Sequence, residues 1–400
     1  MAEEVWMLQT KKADFKQIGA RFRIDPVTAR IIRNRGIEGE AAIDRYLNGT
    51  LDDLYDPMLL KDMERAVSIL CEAVDTGKKI RIVGDYDIDG VCSTYILLQA
   101  FERLGSDVDF EIPDRIKDGY GINESIIEQA LADGVEVILT CDNGISAFHQ
   151  VELAKKYGMT VVITDHHEVP LDGEKEKIPP ADAVIDPKQA DCPYPFPEIC
   201  GAVVAYKLVQ VLYARRGVPQ MEWLDLLEFA AIATVGDVMK LQDENRILVK
   251  YGLKKMAQTK NLGLRRLAEK NNLDLGAITA YHIGFVIGPC LNAGGRLKTA
   301  KEALALLRAQ SEEEAERLAE ELKELNDTRK DMTEQGTEAA KLQVESWYQK
   351  DKVLVVFLPE CHESLAGIIA GRLREYYQKP AIVLTRGEEA VKGSGRSIDE

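Results

Sequence analysis

The sequence predicts an α/β protein: a doubly wound, mostly parallel sheet joined by a long helix to a second, smaller and incomplete α/β unit. Three observations carry that reading. From Lys78 onward, short runs rich in β-branched residues alternate with helical stretches of roughly ten to fifteen residues. Acids stand directly after three of those strands. Finally, a helical pattern runs from Thr299 to about Tyr348 and is followed by strand, helix and strand.

Residues 1 to about 75 read as helices and loops. A helix over 41–47 is closed by Asn48-Gly49, and one over 62–74 places Met63, Ala66, Val67, Leu70 and Val74 near helical spacing. No chemistry is evident in this segment. The alternation then begins with a strand over 80–83, a Gly-Asp loop and a helix over 91–104. Next come a strand over 108–112, a helix over 124–132, a strand over 135–139, the turn Asp142-Asn143-Gly144 and a helix over 147–157. A strand over 161–163 leads to Asp165-His166-His167, and a strand over 183–185 precedes Asp186-Pro187.

The Pro-rich stretch 192–197 is a rigid connector. Helices over 202–213 and 223–235 follow, the second ending at Gly236-Asp237. In the stretch 288–296, glycines surround Asn292 and Arg296, a composition that lets backbone and guanidinium approach an anion. Taken alone, that stretch reads as an ordinary turn. Within the long helical region, Ser311 and Glu314 form a capping box, and Ala315, Leu318, Ala319, Leu322 and Leu325 form an apolar stripe. Gly336 is expected to bend or weaken that helix. The last unit has a strand over 353–357, a helix over 365–377 and a strand over 381–384. Lys392-Gly393-Ser394-Gly395-Arg396-Ser397 fits an anion nest or a flexible tail, and no closing strand is expected.

Composition bounds the function. Four hundred residues, 46% apolar and 30% charged, suit two or three globular domains. No apolar run approaches the length of a bilayer span, and the start lacks the pattern of a signal peptide. Seven scattered cysteines without a Cys-x-x-Cys argue for reduced thiols in a cytoplasm and against a zinc ribbon. A net charge of −16 excludes a generally polyanion-coating surface, so a polyanion would need a local basic patch or bridging cations. The acids between Glu312 and Glu324 read as a solvated helix face.

The chemistry lies at the strand ends. Asp85, Asp87 and Asp89 follow the first strand, Asp142 the third, and Asp165, His166 and His167 the fourth. Ligands in doubly wound sheets bind at the carboxyl ends of the strands. One acid after a strand is often just a helix cap. Three such clusters on one rim would crowd five or more carboxylates without a basic partner, which is unfavourable unless cations neutralise them. Carboxylate and imidazole without thiolate favour manganese or magnesium over structural zinc.

Taken together, these motifs resemble the DHH phosphoesterases, and among them the exonucleases specific for single strands. The likeness runs from about Leu54-Tyr55-Asp56-Pro57 to the end of the chain. Gly84-Asp85-Tyr86-Asp87-Ile88-Asp89-Gly90 is similar to the first family motif and Asp142-Asn143-Gly144 to the second. Asp165-His166-His167 matches the third motif, and Gly236-Asp237 the fourth. Ile112-Pro113-Asp114-Arg115, Gly119-Tyr120-Gly121, Cys192-Pro193-Tyr194-Pro195, Cys200-Gly201-Ala202, the element Leu291 to Leu297 and the closing Gly393 to Ser397 add to it.

The resemblance implies a site for two divalent cations, Mn²⁺ or Mg²⁺, at Asp87, Asp89, Asp142, His166, His167 and Asp237. Asp85 and Asp165 would be supporting acids that act in catalysis with the two histidines. Arg115, Asn292, Arg296, Ser394 and Arg396 would grip phosphates, with His362 facing the cleft. It further implies 5′-to-3′ hydrolysis of single-stranded DNA to 5′-mononucleotides in repair and recombination. A helicase and a single-strand-binding protein are the implied partners of a cytoplasmic monomer that does not touch membranes.

The implied organisation is a helical segment over 1–75, a catalytic domain over 76–260, a connecting region with a linker helix over 261–348, and part of a DHH-associated domain over 349–400. The family's second domain continues into a Gly-Gly-His motif and a nucleic-acid-binding barrel, neither of which occurs here, so a fragment or a chain of reduced affinity is expected. Gly294 also stands where the family more often has alanine. Two rival readings are a small-substrate DHH enzyme, acting on short oligonucleotides, cyclic dinucleotides or pyrophosphate, and a non-catalytic replication scaffold. The complete set of candidate ligands counts against the scaffold.

Overall fold

A computed structural model describes residues 7, 9, 11–387 and 390–398. Three short helices, α1 (Phe15–Phe22), α2 (Pro26–Asn34) and α3 (Glu40–Asn48), share a small core of Ile32, Ile37, Ile43 and Tyr46. Helix α4 (Met63–Asp75) leads into the alternation: β1 (Ile80–Val83), α5 (Ile88–Arg103), β2 (Val108–Glu111), α6 (Glu124–Ala132), β3 (Val137–Cys141), α7 (Phe148–Lys156) and β4 (Thr160–Thr164). A minimal hairpin, β5 (Leu171–Asp172) with β6 (Lys175–Glu176), precedes β7 (Ala183–Ile185).

The main sheet is parallel throughout, in the order β2-β1-β3-β4-β7. β1 and β3 are buried along their whole length, as expected of strands covered on both faces. Helices α4 and α5 lie in the larger core on one face, and α6 and α7 in the smaller core on the other. The chain leaves β1 toward β2 and returns on the opposite side at β3. The rim between β1 and β3 is therefore the switch point where a doubly wound sheet opens a crevice.

Helices α8 (Gly201–Arg215), α9 (Gln220–Leu224), α10 (Leu227–Gly236), α11 (Asp243–Met256) and α12 (Leu262–Lys270) complete this body. The helix expected over 223–235 is broken at Asp225-Leu226 into α9 and α10. After the short α13 (Ala280–His282) and a π turn, α14 (Gly288–Leu297) occupies the stretch expected to be a turn. Its glycines serve close packing: a Cβ on Gly295 would meet the Tyr86 carbonyl oxygen at 2.3 Å. The glycine brings α14 against the first acidic loop.

The helical region is interrupted at 309–311, giving α15 (Lys301–Arg308) and the 32-residue α16 (Glu312–Gln343). Ser311 caps α16 by accepting from the Glu314 N–H at 3.1 Å, but Glu314 accepts from the Gln310 N–H, so the expected box is half-formed. Gly336 does not break α16, which runs unbroken through it. It admits Ile369, whose Cδ1 would lie 2.6 Å from an added Cβ. Ile369 belongs to α17 (Ala366–Tyr377), which packs with α16 over a three-stranded sheet in the order β10-β9-β8. β8 (Leu354–Phe357) and β9 (Ala381–Arg386) are parallel, and β10 (Val391–Arg396) pairs antiparallel with β9. The stretch expected as a nest or tail is thus an edge strand. Among the described residues, no helix is long and apolar enough to cross a membrane.

Candidate metal centre

Each acid is aimed by a local backbone device. Asp85 follows β1 and is buried, with Oδ1 accepting from the Gly121 N–H at 3.3 Å. Asp87 caps α5, accepting from the N–H groups of Asp89 and Gly90. Asp89, expected in the loop, lies instead in the first turn of α5. Its two oxygens accept from the N–H groups of Gly201 (2.7 Å) and Ala202 (2.8 Å), the exposed donors of the α8 N-terminus. Gly201 is required there, because a Cβ would sit 2.7 Å from that of Asp142.

Asp142 follows β3 in a left-handed conformation (φ 62°). The next residue, Asn143, ties the rim together by donating to the carbonyls of Val83 (3.0 Å) and Cys141 (2.9 Å). Its own oxygen accepts from the Ile122 N–H at 3.2 Å. Asp165 follows β4 and is saturated: Oδ1 accepts from the His166 N–H and meets His167 Nδ1 at 2.7 Å, while Oδ2 accepts from the Ile145 N–H. Asp237 caps the C-terminus of α10.

These groups meet. His166 Nε2 lies 3.1 Å from Asp142 Oδ1, 3.5 Å from Asp89 Oδ2 and 3.9 Å from Asp237 Oδ2. Three sets of ligand atoms fall within 4.8 Å of one another: Asp142 with His166 and His167, Asp89 with His166 and Asp237, and Asp85 with Asp87 and Asp142. Every residue of the expected ligand set appears in at least one of them. Asp165 appears in none, and its oxygens are engaged by the His166 and Ile145 N–H groups and by His167.

The charges are mutually unfavourable. Burial, then the Asp89, Asp87 and Asp85 carboxylates, push the Asp142 carboxyl well above its usual range. Burial also raises Asp85 and Asp237 to about 7, with neighbouring acids adding to the effect. Asp165 is the exception: burial raises it, but the His167 hydrogen bond and charge outweigh burial and hold it low. The same pair, working against burial, lifts His167 to about 9, whereas burial lowers His166. Asp142 Oδ1 and His166 Nδ1 are buried and make no hydrogen bond. An orphaned carboxylate oxygen in a dry cluster of acids is costly unless a cation completes it. Oxygen and imidazole donors without thiolate suit a divalent ion such as Mn²⁺ or Mg²⁺.

A second, cationic region faces the rim. A cleft of about 580 Å³ between the first acidic loop and the second sheet is lined by Tyr86, Arg115, Arg296, Ser364, Ser394 and Arg396, among others. Arg115 stacks on the Tyr86 ring at 4.3 Å. Arg296 donates to the Ser364 carbonyl at 3.2 Å, and burial, then Arg115 and Arg329, lower it to about 10. Asn292 sits one turn before Arg296 on α14 and is not among the lining residues. His362 does not line the cleft either. It borders an apolar groove with Met332 and Cys361, its Nδ1 2.7 Å from Ser364 Oγ.

Tyr120 and Asp186, like Asn143, are rim residues that the sequence alone leaves without a role. Tyr120 donates to the Asp142 carbonyl at 2.8 Å and lies 3.1 Å from His167 Nδ1, so it buttresses two of the candidate ligands. Asp186 follows β7 and is buried, with Oδ2 unpaired and its carboxyl raised to about 7 by burial and then by Asp165. Its signal was the one that marked the others, an acid directly after a strand.

Known proteins match this arrangement. The family described as "DHH family, N-terminal domain" matches residues 79–234. The single-stranded-DNA-specific exonuclease RecJ of Bacillus subtilis (strain 168) is 37% identical over 396 residues, covering 98% of this chain and 49% of the relative. The RecJ of Haemophilus influenzae is 35% identical over 397 residues, covering 96% of this chain and 67% of the relative. A crystal structure of exonuclease RecJ bound to manganese superposes with a TM-score of 0.75 at 33% identity, covering 85% of this chain and 83% of that one. The chain thus spans about half the length of the Bacillus relative and about two thirds of the Haemophilus one.

Proposed function

The chain belongs to the DHH family, in its RecJ branch, and from that premise we propose that it is a divalent-metal-dependent 5′-to-3′ exonuclease on single-stranded DNA. One observation supports this above all: Asp87, Asp89, Asp142, His166, His167 and Asp237, spread over 151 positions of the chain, converge on one rim where the buried Asp142 Oδ1 makes no hydrogen bond. In this reading these six residues hold two cations, Mn²⁺ or Mg²⁺. Bound there, such cations supply Lewis acidity toward a water and the scissile phosphate and offset charge on the attacking and leaving oxygens.

The protein's own groups do the rest. Asp165 takes the Nδ1 proton of His167 in a hydrogen bond, which fixes the tautomer and ring orientation of a ligand histidine. Tyr120 and Asn143 hold the Asp142 turn in place. Asp85, buried beside Asp87 and within reach of Asp142, supports the acidic cluster. Arg115, Arg296, Ser394 and Arg396 bind phosphates upstream of the cut, and a grip on a terminal phosphate makes cleavage proceed from the 5′ end. In this reading the cleft between the first acidic loop and the second sheet receives one backbone, so single strands are the preferred substrate.

The same reading assigns residues 76–260 to catalysis, 261–348 to a connecting region and 349–400 to part of a DHH-associated domain. It places the protein with DNA in the cytoplasm, where a helicase or a single-strand-binding protein would supply the strand. Digestion of end-labelled single and double strands with manganese or magnesium tests the proposal. Release of 5′-mononucleotides from the 5′ end of single strands is expected. Absence of hydrolysis, or cleavage favouring dinucleotides over long strands, would overturn it.

A further inference from the structure

The basic charge of this acidic chain is unevenly placed. Residues 11–35 carry Lys11, Lys12, Lys16, Arg21, Arg23, Arg30, Arg33 and Arg35 against only Asp14 and Asp25, in a protein of net charge −16. Helix α1 ends at Arg23, which takes a left-handed conformation (φ 56°), and after Ile24 the Asp25 side chain caps α2 by accepting from the N–H groups of Val27 and Thr28. Two helices joined by a three-residue turn form the connection of a helix-turn-helix.

The internal packing follows the same plan. Ile18, Phe22 and Ile24 pack on a core that contains Ile32, while Ala29 is buried. Gly19 lets the turn fold back onto α1, since a Cβ there would stand 2.7 Å from the Ile24 carbonyl oxygen. The opposite face of α2 is left bare. Val27 and Ile31 are 66% and 49% exposed, and Arg30 stands between them, its guanidinium 4.6 Å above the Phe15 ring. Among the described residues, Lys12, Lys16, Arg23 and Arg30 make no ion pair, whereas Arg21 and Arg33 pair with Glu40 and Glu38.

From this geometry we infer that residues 15–34 are a helix-turn-helix that seats α2 on double-stranded DNA, the duplex flanking a single-stranded end. Charge complementarity selects the occupant. The bare face offers cations for phosphates and two apolar side chains of the kind that contact thymine methyl groups in a major groove. Its position fits the use. Arg35 accepts through its carbonyl from Gln242 at 2.6 Å, and Arg246 stacks on Tyr46 at 3.9 Å, so the unit is docked on α11. Gln242 is joined to Asp237 by five residue steps, at most about 18 Å of extended chain. A duplex held here is thereby linked to the rim through α11 and the short connection to Asp237. The role of that duplex in feeding an end to the rim rests on the nuclease reading; the duplex contact itself does not.

The test compares the 400-residue protein with its Lys16→Glu, Arg23→Glu, Arg30→Glu triple variant, both in manganese buffer. Anisotropy measures affinity for a blunt duplex of about two helical turns with phosphorothioate ends, and hydrolysis of a single strand is followed in parallel. The triple variant should bind duplex at least about tenfold more weakly and lower the salt slope by about 2 to 3, while its single-strand KM and kcat stay within about twofold. If the triple change lowers the melting temperature, Arg30→Ala alone should show an about threefold loss on duplex. Equal duplex affinity in variant and wild type, as a protein-docking face would give, overturns the inference, and so does an equal loss on single strands. A wild-type protein that binds duplex but hydrolyses nothing would instead sink the nuclease reading.

Discussion

The acidic rim and the cationic cleft lie side by side but are built in opposite ways. On the rim, Asp85, Asp89 and Asp142 are almost fully buried, and each issues from a strand end or helix start whose backbone groups aim it. In the cleft, Ser394 and Arg396 come from an edge strand of another sheet, and Arg396 is exposed, hydrogen-bonding only its own neighbourhood. Arg296 is the intermediate case, half-buried and tied to Ser364. The contrast separates two tasks. Chemistry needs ligands fixed before substrate arrives, and binding a flexible strand tolerates arms that adjust.

The strongest way to break that division is to remove a rim ligand. Asp142→Ala should lower kcat by at least about a thousandfold while single-strand affinity changes little, because the cleft is untouched. Turnover near the wild-type value with metal present would merge the two regions. The next effect belongs to Asp165, which orients a ligand without joining the cluster. Asp165→Asn should cost roughly 10- to 100-fold in metal affinity or activity, with partial recovery at high manganese. Loss as complete as that of Asp142→Ala would move Asp165 into the ligand set.

On the cleft side, Arg296→Ala should act mainly through KM, with a loss of about 1–3 kcal/mol in binding and kcat nearly preserved. Arg396→Ala should cost less, its head being solvated. An unchanged KM for 5′-phosphorylated substrate in the Arg296 variant would remove the cleft from the account. Steady-state kinetics on labelled strands measures both.

The smallest effect is on stability. Burial holds the Asp85 and Asp237 carboxyls up near 7, well above their unfolded range, so their ionisation removes stability as pH rises from about 4 to about 7 and changes nothing further above that. His167 acts in the same direction, since the stabilisation from its Asp165 contact is lost as pH rises through about 9. Metal-free protein should therefore melt at a lower temperature as pH rises from about 5 to about 9, first through the acids and then through His167, and added manganese should raise the melting temperature more at the alkaline end. A metal-free melting temperature that climbs over that interval would show that the rim acids are not the strained groups described here.

The rim was legible in the sequence because its signals are local: a buried strand, then an acid, then glycine or a helix start. Asp142 and His167 need only their own strand ends to be placed. Where tertiary packing decides, the sequence was less transparent. The stretch around Gly294-Gly295 has the composition of a turn, yet it is helical because Tyr86 and Thr299 press against those glycines. Residues 391–396 become a strand only because β9 offers an edge. Gly336 was expected to weaken α16, but its missing side chain makes room for α17. His362 was expected at the cleft, and the turn after β8 directs Ser364 there instead. The basic face of α2 is not legible from the sequence alone, because which of the cations clustered in residues 11–35 stay unpaired depends on the fold that brings Glu38 and Glu40 to Arg33 and Arg21.

The central claim is that six side chains from distant parts of the chain jointly hold a pair of cations. Titration of the metal-free protein with Mn²⁺, followed by electron paramagnetic resonance, tests it most directly. Two ions should bind per chain in the wild type, and tight binding should be lost in Asp142→Ala. Wild-type protein that leaves all the manganese free, or an Asp142→Ala protein that takes up as much as the wild type, would contradict it.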